Sequence, residues 1–359
     1  MTEARHPNGL DALRAFAALS VLGLHLIYVP DWTGFPSTGP LAWFRVGFLG
    51  VDIFFVLSGY VIGLSAIRLF PLHGPSRSAD FVKRRFARIV PLYWIVSLLF
   101  LFAVDSSALT GDNAILQILS HLFFFHNLMP STAGAINGVT WTLATEMQLY
   151  LITALFIRTL VNTRPLVIAS VMILLAWGWR ASTFVLITAL CESPTGAFYS
   201  HWATQVPGVL DSYGLGIALA VHRMSAPQGS ASRRVSLLMI GGGLAGLAIS
   251  ASVLLPYYGS NAYWTTDYMA ICFRTLPALS ALLLVIALRE INLHRLNPAV
   301  WFGRWSYGVY LWHLPLILLL MKVTSSNSTL AFSTLFLTLC LSAISWHFVE
   351  RPAIEWGRH

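Results

Sequence analysis

Two side chains in this sequence have the types and spacing of a proton-transfer pair. His25 follows Arg14 by eleven residues, about 16 Å further along a helix that carries both. Pro30 closes the same apolar run about one turn later. The next apolar run re-enters from that side, which sets Asp52 at a similar depth on the neighbouring helix. A carboxylate beside an imidazole fixes its tautomer and raises its basicity, which suits a general base that takes the proton of a hydroxyl. The structural alternative is a hydrogen bond that only ties two helices together.

Further constellations lie along the chain. The stretch FVKRRFARIVPLYW, residues 81–94, places Arg85 and Arg88 three apart on one helix face. With Arg14 at the same surface, the pair can hold the phosphates of a ligand, or it can anchor topology against anionic lipid. In WTLATEMQLY, residues 141–150, Trp141 precedes Glu146 and Tyr150, which are one helical turn apart. An intramembrane glutamate there can orient an acceptor sugar, carry protons, or pair with an arginine such as Arg274. In SYGVYLWH, residues 306–313, Ser306, Tyr310 and His313 fall on one stripe, for packing or for hydrogen bonding. Glu350 and Arg351, before Pro352, are expected to form a structural pair at the end of the last apolar run. Asp211, His121 and His126 are polar enough to line a path, with no role assigned. Cys191, Cys272 and Cys340 show neither metal-ligand nor disulfide spacing, so no metal site is expected.

The elements that must position these groups are membrane helices. Apolar residues make up 57% of the chain and charged residues 10%, with a mean hydropathy of +0.70. A soluble domain carries roughly a quarter charged residues, so lipid must cover the apolar surface that no core can take. The net charge of +8 sits between hydrophobic runs, where basic residues set topology, and nucleic acid is excluded as a partner. At about 20 residues per crossing, spans are expected at 11–29, 47–67, 89–104, 141–157, 165–180, 206–222, 235–255, 269–288, 306–322 and 329–348. The first carries Asp11 and Arg14 and lacks a cleavage site, so it reads as a retained helix. With no linker or low-complexity tract, residues 1–359 read as a single membrane domain.

Charge orients the spans. Arg5 and Arg14 place the N-terminus in the cytoplasm, and the basic run from Arg68 to Arg88 faces the same way. Residues 105–113 carry Asp105 and Asp112 with no base, and Arg158 and Arg164 then return to the cytoplasm. Only one crossing fits between those two connections, so the interrupted stretch 114–129 is expected to be re-entrant or interfacial. An all-α bundle of about ten spans with both termini cytoplasmic satisfies the rest. Arg180, in an expected outer loop with Glu192, is the one objection.

Taken together, these segments resemble the acyltransferase-3 family of bacterial membrane proteins, which O-acylate surface polysaccharides, peptidoglycan and some macrolides. Arg14 and His25 match the family's first-helix signature, and GVDIFFVLSGY, residues 50–60, its second-helix motif. Arg85 and Arg88 followed by Pro91, Tyr93 and Trp94 are similar to the third-helix motif. WTLATEMQLY departs from the usual pattern only at Thr142 and Leu149, and SYGVYLWH and Glu350–Arg351–Pro352 also fit. The resemblance runs from Leu10 to Pro352 with the motifs in family order.

This resemblance implies His25 as the catalytic residue with Asp52 as its partner, and Arg14, Arg85 and Arg88 on the acyl-donor side. Trp141, Glu146, Tyr150, Ser306, Tyr310 and His313 become candidates for acceptor binding or for stabilising an oxyanion. The implied donor is cytoplasmic acyl-CoA, usually acetyl-CoA, a co-substrate rather than a permanently bound cofactor. The implied acceptor is a glycan or lipid-linked glycan, with a macrolide-like molecule second, at a bacterial plasma (inner) membrane and with glycan-assembly proteins as partners. Transfer can be direct, or proceed through acylated His25. The rivals are a proton-coupled secondary transporter and a glycan flippase or accessory subunit. The sequence shows neither an internal repeat nor broken helices in matching positions, which weighs against a transporter.

Overall fold

Every apolar run expected to cross a membrane is helical. The computed structural model describes residues 8–69, 76–225, 232–257, 262–294 and 297–358; Arg5 and part of the 256–267 connection lie outside them. In chain order the helices that position the site are α1 (Gly9–Tyr28), α2 (Leu49–Leu69), α3 (Ser76–Leu99), α4 (Ala114–Leu122), α5 (Trp141–Val161) and α6 (Pro165–Leu190). They continue with α7 (Gly196–Ala203), α8 (Leu210–Ser225), α9 (Arg233–Leu254), α10 (Thr275–Leu288), α11 (Ser306–Leu320) and α12 (Asn327–Ser345). No strand occurs among the described residues. Starts follow local chemistry: Pro165 opens α6 with its φ already helical, and the Thr195, Ser232 and Ser326 hydroxyls accept from backbone N–H groups opening α7, α9 and α12.

Among the described residues eight helices are long and apolar enough to cross a membrane, which makes this a multi-pass membrane protein. α10 is among them, because it continues from the π-helical turn Met269–Phe273 to make 20 residues. Two of the ten expected spans fall outside that set: α8, with 16 residues, and α11, with 15. Both run through the middle of the bundle. Every residue of α8 from Asp211 to Val221 is buried, as is every residue of α11 from Gly308 to Ile317. A helix sheathed on all sides by protein does not have to match the lipid in length. α8 packs on α2 at backbone distance: a Cβ added at Gly59 would lie 2.1 Å from the Tyr213 carbonyl oxygen, and one at Gly216 2.2 Å from that of Val56. Only glycine permits that approach.

Three local expectations change. The span expected at 165–180 continues to Leu190, so Arg180 is not in a loop. It is buried inside α6 and paired with Asp211 of α8 at 2.5 Å, which removes the objection it raised to the topology. Glu350 does not pair with Arg351. It is buried and accepts from Ser345 at 3.2 Å, while Arg351 pairs with Glu355 at 2.9 Å. Within 114–129, the helix α4 has nine residues, about 13 Å of rise, too short to cross a core of about 30 Å. Its polar groups are covered by protein: Tyr93 donates to the His121 carbonyl at 3.0 Å, and the His121 and His126 rings stack at 4.0 Å.

One end of the bundle collects the basic connections. The Asn8 side chain donates to the Leu293 carbonyl at 3.2 Å, Arg223 pairs with Glu290, and Lys83 lies 4.6 Å over the Trp356 ring. Asn8 and Trp356 are therefore both tied to this end.

Candidate functional site

Near the basic end, α1, α2, α3, α5 and α11 enclose a cavity of about 110 Å³. It brings together Arg14, Arg85, Arg88, Glu146, Tyr150, Ser306 and Tyr310. Arg14 pairs with Asp11 at 2.8 Å. Arg85 donates to Ser65 Oγ at 3.0 Å, and its buried Nε has no hydrogen-bond partner among the described residues. Neither Arg85 nor Arg88 has a carboxylate within 4.0 Å among those residues. Guanidinium groups spared from ion pairs remain available to an anionic ligand. Glu146 does not reach Arg274. Its Oε1 accepts from Ser58 at 2.5 Å and from the Tyr150 hydroxyl, which joins α2 to α5 in the cavity wall.

A second cavity, of about 370 Å³, contains His25 and Arg274 with Trp141, Tyr263 and Trp264. Val51 of α2 lines both cavities. In the wall of the first, Thr142 donates to the Tyr310 hydroxyl at 2.9 Å, and Tyr310 donates to the Val139 carbonyl at 3.1 Å.

His25 is half-buried, and its partner is His313 rather than Asp52. His313 Nδ1 lies 3.0 Å from the Val309 carbonyl, and a carbonyl can only accept, so Nδ1 carries the proton. By the same rule His25 Nδ1, 3.0 Å from the Val21 carbonyl, is also an N–H. That N–H lies 3.0 Å from His313 Nε2, whose lone pair receives it. These tautomers are assigned from the carbonyl partners. His25 is left with an unprotonated Nε2, the lone pair a general base requires.

Asp52 is turned away from this pair. Its Oδ1 accepts from Arg274 Nε at 3.1 Å and Nη2 at 2.7 Å, and from Ser212 at 3.4 Å. Val51 faces the cavities, and one residue further on is a rotation of about 100° round the helix, which points Asp52 at α8 and α10. Asp211 makes a parallel set, accepting from Arg180 at 2.5 Å and from Thr275 at 2.7 Å, with Trp177 donating to Thr275 at 2.8 Å. These two buried ion pairs fix the far wall of the His25 cavity and set the Arg274 guanidinium, which lies 5.8 Å from the Trp264 ring.

The structure thus gathers seven of the eleven candidate residues into the arginine cavity, and puts His25 and Trp141 in the other. His313 lies buried against His25, and Asp52 acts on Arg274. Sequence reasoning missed the Asp211–Arg180 pair. The available signal was arithmetic: besides Asp11 and Arg14 at the start of the first run and Glu146 in the fourth, the apolar runs hold Asp52, Asp211, Arg180 and Arg274, which call for two pairs.

A family model described as "Acyltransferase domain" matches residues 8–347. The peptidoglycan O-acetyltransferase OatA of Listeria monocytogenes is 25% identical over 379 aligned residues, covering 97% of this chain and 56% of the relative. The putative peptidoglycan O-acetyltransferase YrhL of Bacillus subtilis is 27% identical, with 97% of this chain and 55% of the relative covered. The O-acetyltransferase OatA of Staphylococcus aureus is 25% identical, with 99% and 58% covered. The chain spans a little over half the length of these relatives. No solved structure matches it.

Proposed function

The chain belongs to the acyltransferase-3 family, and on that premise we propose that it moves an acyl group, usually acetyl, from cytoplasmic acyl-CoA to a hydroxyl of a glycan across a bacterial plasma membrane. The observation that carries this reading is the pair of cavities, one holding arginines and the other His25, with Val51 common to both. In this reading the basic end faces the cytoplasm, as the positive-inside rule asks. At about 110 Å³ the arginine cavity is well below the ~300 Å³ of a typical small-ligand site. It suits the acyl–pantetheine end of a donor, with Arg14, Arg85 and Arg88 towards the phosphates. The glycan acceptor is supported by the relatives, two of which are named for peptidoglycan.

Direct transfer balances as follows. His25 Nε2 takes the proton of the acceptor hydroxyl as that oxygen attacks the thioester carbonyl. The tetrahedral intermediate collapses with cleavage of C–S, the proton passes from His25 to the leaving sulfur, and ester and free CoA result. The Val21 carbonyl holds the ring in the required tautomer, and His313 Nε2, sharing the Nδ1 proton, steadies the imidazolium. The oxyanion needs a donor, and three of the six candidates named from sequence, Tyr150, Tyr310 and His313, are committed elsewhere. Tyr150 donates to Glu146, Tyr310 to Val139, and the Nδ1 proton of His313 to Val309. Arg274 is the better candidate: Asp52 occupies Nε and Nη2, which leaves Nη1 for a ligand in the cavity it shares with His25. The same pairing argues against a proton relay, because Asp52 and Asp211 are each held by an arginine.

Purified protein in nanodiscs, incubated with acetyl-CoA and glycan, should release free thiol, and Arg85→Gln should raise the acetyl-CoA concentration needed. No thiol release together with no acetyl-CoA binding would remove the acyl-CoA reading.

A further inference from the structure

Beside the His25 cavity lies a third one, of about 450 Å³, that the transfer step does not use. The two meet along Trp141, Ser200 and Thr204, which line both. Each volume falls within the ~300–1,000 Å³ range of small-ligand sites. Among the described residues no Asp, Glu, Lys or Arg lines the third cavity, so neither a phosphate nor a carboxylate finds a charged partner there.

Its walls offer rings and neutral hydrogen-bonding groups. Phe198 and His201 come from α7, one turn apart, and the amides of Gln205 and Asn127 lie beside His201, with Gln205 Nε2 donating to the His201 carbonyl at 3.0 Å. The N–H groups of both amides are taken up within the protein before any ligand arrives, which leaves the amide oxygens as acceptors. Gln205 Nε2 donates to the Asn127 carbonyl at 2.5 Å, Gln148 donates to Asn127 Oδ1 at 2.8 Å, and Asn127 donates to Thr145 at 3.2 Å. α7 itself is tied to α6, by Trp179 to the Trp202 carbonyl at 2.8 Å and by Thr188 to Tyr199 at 2.8 Å. Gly134, with φ of +82°, and Gly138 keep the facing wall free of side chains. Burial lowers the His201 imidazole below its ordinary value, more than its hydrogen bond to the Leu128 backbone raises it. At neutral pH it therefore offers one donor and one acceptor. The rim, at Pro130, Thr195 and Ala197, is exposed. Rings beside neutral amides and hydroxyls fit the apolar faces and equatorial hydroxyls of a sugar, and fit an apolar macrocycle poorly.

We propose that the two cavities are adjoining subsites of one cleft for a linear, uncharged stretch of oligosaccharide. The reacting sugar sits beside His25, and a neighbouring sugar of the chain sits against Phe198 and His201, with Trp141 as the shared wall. This rests on the glycan acceptor proposed above and makes it a chain of at least two sugars rather than a single sugar or a macrolide.

The test is equilibrium binding of chitotetraose and of N-acetylglucosamine to the full chain in nanodiscs, with no acyl donor present. The wild-type protein should bind the tetramer more tightly than the monomer. Phe198→Ala and His201→Ala should each lower that preference about tenfold, the effect of losing one ring contact. Equal affinity for both probes, binding of neither, or a preference that both variants leave unchanged would each overturn the proposal. The wild-type comparison decides by itself if a variant fails to fold. Thiol release from acetyl-CoA is read separately: a cleft that prefers the tetramer in a protein that releases no thiol would leave the cleft standing and remove the transferase reading.

Discussion

Replacing Asp52 by alanine should destabilise the protein through Arg274, not through His25. The two side chains of the Asp52–Arg274 pair are 1% and 4% exposed, with 2.7 Å between the charged atoms. Among the described residues no other carboxylate pairs with Arg274. Asp52→Ala therefore leaves a buried, uncompensated guanidinium, which costs about 3–5 kcal/mol. Replacing both partners by apolar residues of similar volume, Asp52→Leu with Arg274→Met, removes both charges together and should fall between neutral and stabilising by about 1–4 kcal/mol. The double variant should then be more stable than Asp52→Ala by roughly 3 kcal/mol or more. The assay is thermal unfolding of the purified variants in one detergent. A second cycle, Asp52→Ala with His25→Ala, should add to within about 0.5 kcal/mol, because His25 bonds to His313. An Asp52→Ala protein as stable as wild type, or strong coupling between Asp52 and His25, would refute this arrangement.

Three further outcomes can be checked. His313→Ala removes the Nε2 that shares the His25 Nδ1 proton while the Val21 carbonyl still holds the tautomer, so turnover should fall about 10–100-fold while acetyl-CoA binding, measured by calorimetry, holds. Gly59→Leu places a side chain where even a Cβ would lie 2.1 Å from the Tyr213 carbonyl, and should fail to yield monodisperse protein on size exclusion. In a background without Cys191, Cys272 and Cys340, Ser131→Cys should react with impermeant maleimide only from the extracytoplasmic side. Reaction only from the cytoplasm would mean that 114–129 crosses after all.

The helices were legible because membrane burial writes itself as long apolar runs: each of the ten expected runs is helical, and eight helices among the described residues are long and apolar enough to cross a membrane. Helix ends were less so, and Arg180 shows why. A charge inside an apolar run looks like a boundary until its partner is known, and Asp211 is 31 residues away. The members of the site were legible for a similar reason: polar residues inside apolar runs are few, and most of them line one cavity or the other. Their pairing was not legible. Depth along a helix follows from counting residues, but rotation about its axis is set by packing. For α2 that packing is the Gly59–Gly216 crossing with α8. It turns Val51 to the cavities and Asp52 to Arg274, which depth alone could not predict. The third cavity left no trace in periodicity, because loop segments and the short α7 build it.

The most direct test of transfer through His25 places the protein in vesicles with labelled acetyl-CoA on the side of the basic connections and a glycan acceptor on the other. Wild type should move label onto the acceptor and release thiol, while His25→Ala binds acetyl-CoA normally and does neither. Label transfer by His25→Ala at a rate near that of wild type would contradict the assignment of the base and, with it, the division of labour between the two cavities.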